Sequence, residues 1–212
     1  PPPPPPLFFF FLIRRPPRYT LSSSSAASVV YKRQPLSVDL IGENGLIGYK
    51  ARKHSMLIDI DKPNHYKREL FWEKITVEDL LYQGADYQNK NNQGSLILSP
   101  DAFYILASKE YVSVPSKYAA EMRAYDTKVG EFRAHYAGFF DPGFGLTELG
   151  ASKTKAVLEV RSHDVPFLIE QDQTVCRLVY EPMANVPSIL YGEAGSSNNY
   201  QAQGLKLAKH FI

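Results

Sequence analysis

From Pro35 onward the apolar residues fall in short runs broken by Pro, Gly, Asp and Asn, not in stripes of helical period. Leu57-Ile58-Asp59-Ile60-Asp61 alternates as a half-buried strand does. Leu96-Ile97-Leu98, Phe103 to Ala107 and Tyr111 to Val114 read as further strands, and Val165 to Ile169 with Thr174 to Tyr180 reads as a hairpin closed by Gln171-Asp172-Gln173. Runs of this length and spacing predict an all-β sandwich or barrel. One short helix is expected over 116–122, where Ser116 is a capping residue and Tyr118, Ala119 and Met122 fall at helical spacing. Glu43-Asn44-Gly45 predicts a turn. The Gln- and Asn-rich stretch 83–94 reads as a solvated linker, and 191–199 as mobile. Trp72, the only tryptophan, reads as a packing anchor under a loop, and the Lys50, Arg52, Lys53, His54 cluster as a solvated strand face.

The pattern concentrates chemistry between Arg133 and Arg161. Phe139-Phe140 is strand-like, and Pro142-Gly143 forces a turn directly after Asp141. In Val157-Leu158-Glu159-Val160-Arg161 the two-residue period puts Leu158 and Val160 on one face and Val157, Glu159 and Arg161 on the other. The turn thus holds one carboxylate and the next strand presents another toward a possible cleft. On the residues alone Glu159 beside Arg161 reads first as a solvated ion pair, and Asp141 as a turn-former.

At 212 residues the chain is long enough to bury a sizeable core. Its formal charge of +2 gives no reason to expect a nucleic-acid partner, and no apolar run is long enough to cross a bilayer. The single Cys176 excludes an intrachain disulfide and the cysteine-pair zinc site of zinc-dependent base deaminases, which leaves a reducing, cytoplasmic setting as the expectation. Residues 1–34 stand apart: a proline run, a phenylalanine run, a basic knot and a serine run. Arg14, Arg15 and Arg18 follow the apolar run, the reverse of a signal peptide. The stretch resembles the translation of a sequencing adapter and is expected to be non-native and disordered. The rest divides into lead-in strands and linker (35–94) and a β domain with a mobile tail (95–212).

Val114-Pro115, Ala119 to Met122, Ala137 to Phe144, Leu158-Glu159-Val160 and the Tyr200 to Phe211 tail together resemble the dCTP deaminases, most closely the long bacterial form with two tandem domains. The resemblance covers Ser37 to Ile212 as the C-terminal domain and its lead-in. It implies a distorted β-barrel or jelly-roll of the dUTP pyrophosphatase-like (β-clip) type, a homotrimer, and zinc-independent hydrolysis of dCTP to dUTP and ammonia. Mg²⁺ is implied only as a passenger on the triphosphate. Glu159 falls on the family's catalytic acid/base, and Asp141 on the aspartate that positions water in dUTP pyrophosphatases, so that dUTP pyrophosphatase or combined activity is the alternative. Ala137 falls on a residue whose backbone reads the cytosine edge; Tyr200 and Gln203 fall on tail residues that cover the triphosphate.

The departures are also definite. The family's Arg-Ser-Ser-x-x-Arg motif places Arg123 and Lys128 on its arginines but Ala124 and Tyr125 on its serines. Lys128 retains charge without the bidentate fork. An insertion spans about Leu146 to Lys155. The expectation is therefore a chain that lacks its N-terminal tandem domain, with half the phosphate-holding site, and that is inactive alone; a non-catalytic domain that supports the trimer or senses nucleotides is a further alternative.

Overall fold

The computed structural model describes residues 33–82, 94–124, 132–135, 138–151, 153–162, 164–194, 200–202 and 204–212; for 81, 82, 124 and 132–135 only the backbone is considered. The described residues form eleven strands: β1 Arg33–Ser37, β2 Leu46–Ala51, β3 Trp72–Thr76, β4 Ser95–Leu98, β5 Phe103–Tyr111, β6 Tyr118–Ala124, β7 Phe132–His135, β8 Phe139–Phe140, β9 Lys155–Ser162, β10 Phe167–Glu170 and β11 Thr174–Pro182. One short α-helix, α1 (Val77–Tyr82), follows β3. The strands make a five-stranded sheet ordered β3-β2-β5-β9-β7, a four-stranded sheet ordered β1-β11-β6-β8 and a two-stranded β10-β4 pair. Between them lies one apolar core that includes Leu36, Leu98, Tyr104, Leu106, Leu158, Ile169 and Leu178. The all-β expectation holds.

Several local expectations change. The helix foreseen over 116–122 is strand β6: Ala120 and Met122 are buried at a two-residue interval, and the strand pairs with both β11 and β8. The helix occurs instead at α1, where the Asp79 carboxylate accepts hydrogen bonds from both the N–H and the hydroxyl of Thr76, a Thr-x-x-Asp cap. Leu57 to Asp61 is not a strand but an exposed loop, with Leu57 94% accessible. The Asp59 carboxylate ties that loop locally, accepting from Asp61 N–H and pairing with Lys62.

The foreseen hairpin has its two strands but not their pairing. β10 pairs with β4, while β11 pairs with β1 and β6. The bend between them bonds outward: Asp172 N–H donates to Val38 O, and the buried Gln171 amide oxygen accepts from Leu40 N–H. The first strand also starts within the stretch assigned to low complexity. Arg33 and Gln34 belong to β1, and Gln34 Oε1 accepts from the Tyr180 hydroxyl; residues 1–32 lie outside the described residues, as does nearly all of the 83–94 linker. The Glu43 turn forms as expected, with Glu43 and Leu46 exchanging main-chain hydrogen bonds.

Candidate active site

Strand β9 follows its sequence period. Ala156, Leu158, Val160 and Ser162 are buried, while Val157, Glu159 and Arg161 take the opposite face. On β5, Ile105 lies opposite Glu159, and on β7, His135 lies opposite it in backbone register. Phe103, Ile105, Val157 and Glu159 form the sheet side of a cavity of about 500 Å³. The Glu159 side chain is half-buried and enters no ion pair among the described residues. Arg161 instead lies 4.8 Å from the centroid of the Phe103 ring, a cation–π contact. The pair suggested by the sequence is therefore divided, with only the carboxylate in the cavity.

The second side comes from the turn after β8. Phe139, Phe140, Asp141 and Phe144 line the same cavity. Phe140 and Phe144 pack edge to face at 5.0 Å, and Phe144 packs on Tyr191 at 5.7 Å. The turn is fixed by its main chain: Phe144 N–H donates to Asp141 O, and Val114 and the turn exchange bonds through Gly143 and Phe144. Gly145 has a φ of 69°, and a Cβ there would collide with Val112 O, so only glycine fits. The Asp141 carboxylate is exposed and makes no hydrogen bond among the described residues. Its structural work is done by its backbone.

The third side is the tail. Tyr200, Lys206, Leu207 and Ala208 line the cavity. Gln201 fastens the tail to the turn: its amide oxygen accepts from Gly145 N–H at 3.0 Å, and its NH₂ donates to Gly143 O at 3.1 Å. Gly192, with φ of 102°, leaves the room this amide occupies. Tyr200 N–H donates to the Tyr191 hydroxyl at 3.0 Å. Burial raises the Tyr191 phenol above its ordinary pKa, and nearby Asp141 adds to the rise while the Tyr200 N–H opposes it. At the far end Tyr66 and Phe211 form a parallel bridge, and the Phe211 ring packs on Phe71 at 5.4 Å and Trp72 at 5.9 Å. Trp72 lines the cavity from β3, more than an anchor under a loop, and its buried indole N–H has no hydrogen-bond partner among the described residues.

Glu159, Asp141 and Tyr200 are thus brought together. Arg123 is not among the residues lining this cavity. It stands exposed on β6, where its Nε is 2.6 Å from Glu121 and a second guanidinium nitrogen is 3.9 Å from Glu181; the alternate residues Ala120 and Met122 point into the core. Lys128, Ala137 and Gln203 lie outside the described residues. The sequence reading missed Tyr191 and Gln201. Gln201 carried a signal, an amide two residues from Gln203 in the same Tyr-Gln-x-Gln-Gly run. Among the described residues no three His, Cys, Asp or Glu side chains gather to hold a metal, and no helix is long and apolar enough to cross a membrane.

Comparison with known proteins points one way. Residues 13–211 match the family described as 2'-deoxycytidine 5'-triphosphate deaminase (DCD), C-terminal domain. The chain is 30% identical over 112 residues to the "dCTP deaminase, dUMP-forming" of Methanobrevibacter smithii, covering 51% of this chain and 54% of that protein. It is 26% identical over 173 residues to the protein of the same description from Methanothermobacter thermautotrophicus, covering 80% and 75%. The crystal structure of 2'-deoxycytidine 5'-triphosphate deaminase from Agrobacterium tumefaciens superposes with a TM-score of 0.61 at 51% identity, covering 74% of this chain and 43% of that one. The chain therefore spans about half the length of the first relative and less than half of the crystallised chain.

Proposed function

The chain belongs to the family of 2'-deoxycytidine 5'-triphosphate deaminase C-terminal domains, and from that premise we propose that its cavity serves zinc-independent hydrolysis of the 4-amino group of dCTP. Water adds to C4 of the cytosine, Glu159 takes the proton, and the same carboxyl delivers protons to the departing amine, so that dCTP and water give dUTP and ammonia. The observation that carries this reading is Glu159: a half-buried carboxylate facing the cavity with no ionic partner among the described residues. A carboxylate already neutralised by a cation is a weaker base. The aromatic walls, Trp72, Phe103 and Phe139 among them, offer apolar faces to a planar pyrimidine and limit its hydration. Mg²⁺ belongs to this reading as part of the substrate, riding on the triphosphate. A homotrimer, and a further domain that supplies the phosphate-holding serines absent at Ala124 and Tyr125, complete it.

A second reading adds hydrolysis of dUTP to dUMP and diphosphate. Two observations favour it: the Asp141 carboxylate, with no hydrogen bond among the described residues, lines the same cavity as Glu159, and both curated relatives are described as dUMP-forming. Asp141 would then orient the water that attacks the phosphate.

The test is Glu159→Gln in the full-length protein. Ammonia release from dCTP should fall by about 10²–10⁴, while dCTP affinity stays within about tenfold. Turnover retained in that variant would sink the assignment. Diphosphate release that disappears in Asp141→Asn, with ammonia release kept, identifies the second step. The 212-residue chain by itself is expected to release little or no ammonia.

A further inference from the structure

Among the described residues the densest run of exposed apolar side chains is Met56-Leu57-Ile58-Asp59-Ile60, in the loop between β2 and β3. Met56 is 62% accessible, Leu57 94%, Ile58 39% and Ile60 75%. Large apolar residues gathered this closely on a surface mark a contact with another molecule. The run is nevertheless pinned at both ends. Arg52 N–H donates to Phe71 O ahead of it, and Asp59 N–H donates to the Tyr66 hydroxyl at 2.8 Å within it. A segment already fixed in this way loses little further freedom when something docks on it.

Between these anchors, Lys53 to Ile58 make no main-chain hydrogen bond among the described residues, although the run has the alternation of a strand. An extended segment laid alongside would use both the free main chain and the pattern. The charges say which segment. A lysine and a histidine precede the apolar run and two aspartates follow it, so the same run laid antiparallel on itself brings opposite signs together. With Leu57 on the two-fold axis, Met56 meets Ile58, Ser55 meets Asp59, and Lys53 meets Asp61 of the second copy. Lys53 and Asp61 enter no ion pair among the described residues, whereas Asp59 already holds Lys62 and is met by an uncharged hydroxyl. Moving the register one residue either way sets Asp59 against Met56 or Lys53 against Ile60.

We propose that this loop is a self-association surface: two copies of the chain pair antiparallel through residues 53–61 about a two-fold axis at Leu57. The inference does not depend on the deamination reading. A two-fold contact is a different operation from the three-fold of a homotrimer, so the two are compatible, and together they join trimers in pairs. One pair of loops is a small interface and associates weakly, whereas three pairs in one assembly act together.

The test is the mass of the 212-residue chain by sedimentation equilibrium across a range of concentration. A concentration-dependent doubling of the smallest species is expected. Leu57→Asp sets two carboxylates face to face on the axis and should weaken the doubling about a hundredfold. Lys53→Asp and Asp61→Lys should each weaken it about tenfold, and the two exchanged together should restore the original affinity. All three positions are exposed, so the fold should survive each change. Covalent trapping is the second measurement. Cys176, the sole cysteine, is buried, so mild oxidation of Leu57→Cys should give a disulfide-linked pair, opposed strand positions being close enough for the bond. Ile60→Cys should not cross-link, because it faces His54. Doubling that persists in Leu57→Asp, a charge exchange that fails to restore it, or no doubling at millimolar chain overturns the proposal. So does a full-length protein whose loop is protected from amide exchange at every concentration while Leu57→Cys fails to cross-link, since a further domain then covers the run.

Discussion

Glu159 stands on a strand bonded on both sides, to β5 and to β7, whereas Tyr200 and Lys206, which line the same cavity, stand on a tail without regular structure. The strand is also held from its start. Lys155 is buried, and its ammonium is 2.7 Å from Asp39 and 3.6 Å from Glu43. Asp39 in turn accepts from the N–H groups of Ile41 and Gly42. The tail is tied at its two ends: by the Gln201 amide at one, and at the other by the Phe211 ring and by main-chain hydrogen bonds joining Asn64, His65, Tyr66 and Arg68 to Lys209, His210 and Ile212. The difference teaches that the proposed chemistry rests on a strand bonded along both edges, and access on a tail tied at its two ends, so the tail is expected to open at lower cost than the strand.

Three substitutions probe that division. Asp39→Ala leaves the Lys155 ammonium buried without its main partner and should cost about 3–5 kcal/mol of global stability, read by urea unfolding. Acid should act the same way. Burial pushes the Asp39 carboxyl up, but the Lys155 ammonium and the Gly42 and Ile41 N–H groups outweigh it and hold the folded pKa below the ordinary 3.8. A lowered folded pKa means that the stabilisation is present above 3.8 and is lost as pH falls through the folded value. Lys155, conversely, is desolvated, yet Asp39 and Glu43 raise its pKa above 10.5, so its contribution persists below 10.5 and fades only at still higher pH.

A smaller and local effect is expected of Phe211→Ala. The ring is only half-buried, so about 1–2 kcal/mol of tail docking should be lost, seen as a change in Trp72 emission and faster amide exchange over 205–211. The urea midpoint should barely move; a loss of global stability comparable to that of Asp39→Ala would erase the distinction between strand and tail. Gln201→Ala should be the mildest, about 1 kcal/mol. It should appear as faster exchange at Gly145 N–H, the donor that the Gln201 amide receives.

The sequence made the central features legible where local pattern and tertiary role coincide. The Leu158 and Val160 face of β9 is buried and Glu159 opens into the cavity, as alternation alone requires. The turn after Asp141 forms because Pro142 and the glycines permit little else. Local pattern failed where distant partners decide. Tyr118, Ala119 and Met122 suit a helix until β11 and β8 flank them. Leu57 to Asp61 alternates but finds no strand to pair with. The bend at Gln171 looks like a hairpin until Val38 and Leu40 take up its hydrogen-bonding groups. Gln201 was passed over for Gln203 because no periodicity tells which amide reaches the turn. That Glu159 has no ion-pair partner among the described residues, finally, goes with Arg161 lying on the Phe103 ring, a cross-strand neighbour the sequence does not display.

The pairing of β1 with β11 has a consequence for how the protein is made. Gln34 and Tyr180, hydrogen-bonded in the finished fold, are 146 residues apart in the chain. During synthesis from the N-terminus, β1 leaves the ribosome long before its partner exists, and its main-chain groups stay unpaired until most of the domain has followed. Contacts of such long sequence separation are also slow to close. The nascent domain therefore carries an open edge until β11 has followed, and the sheet that contains β1 is among the last parts of the domain to be sealed.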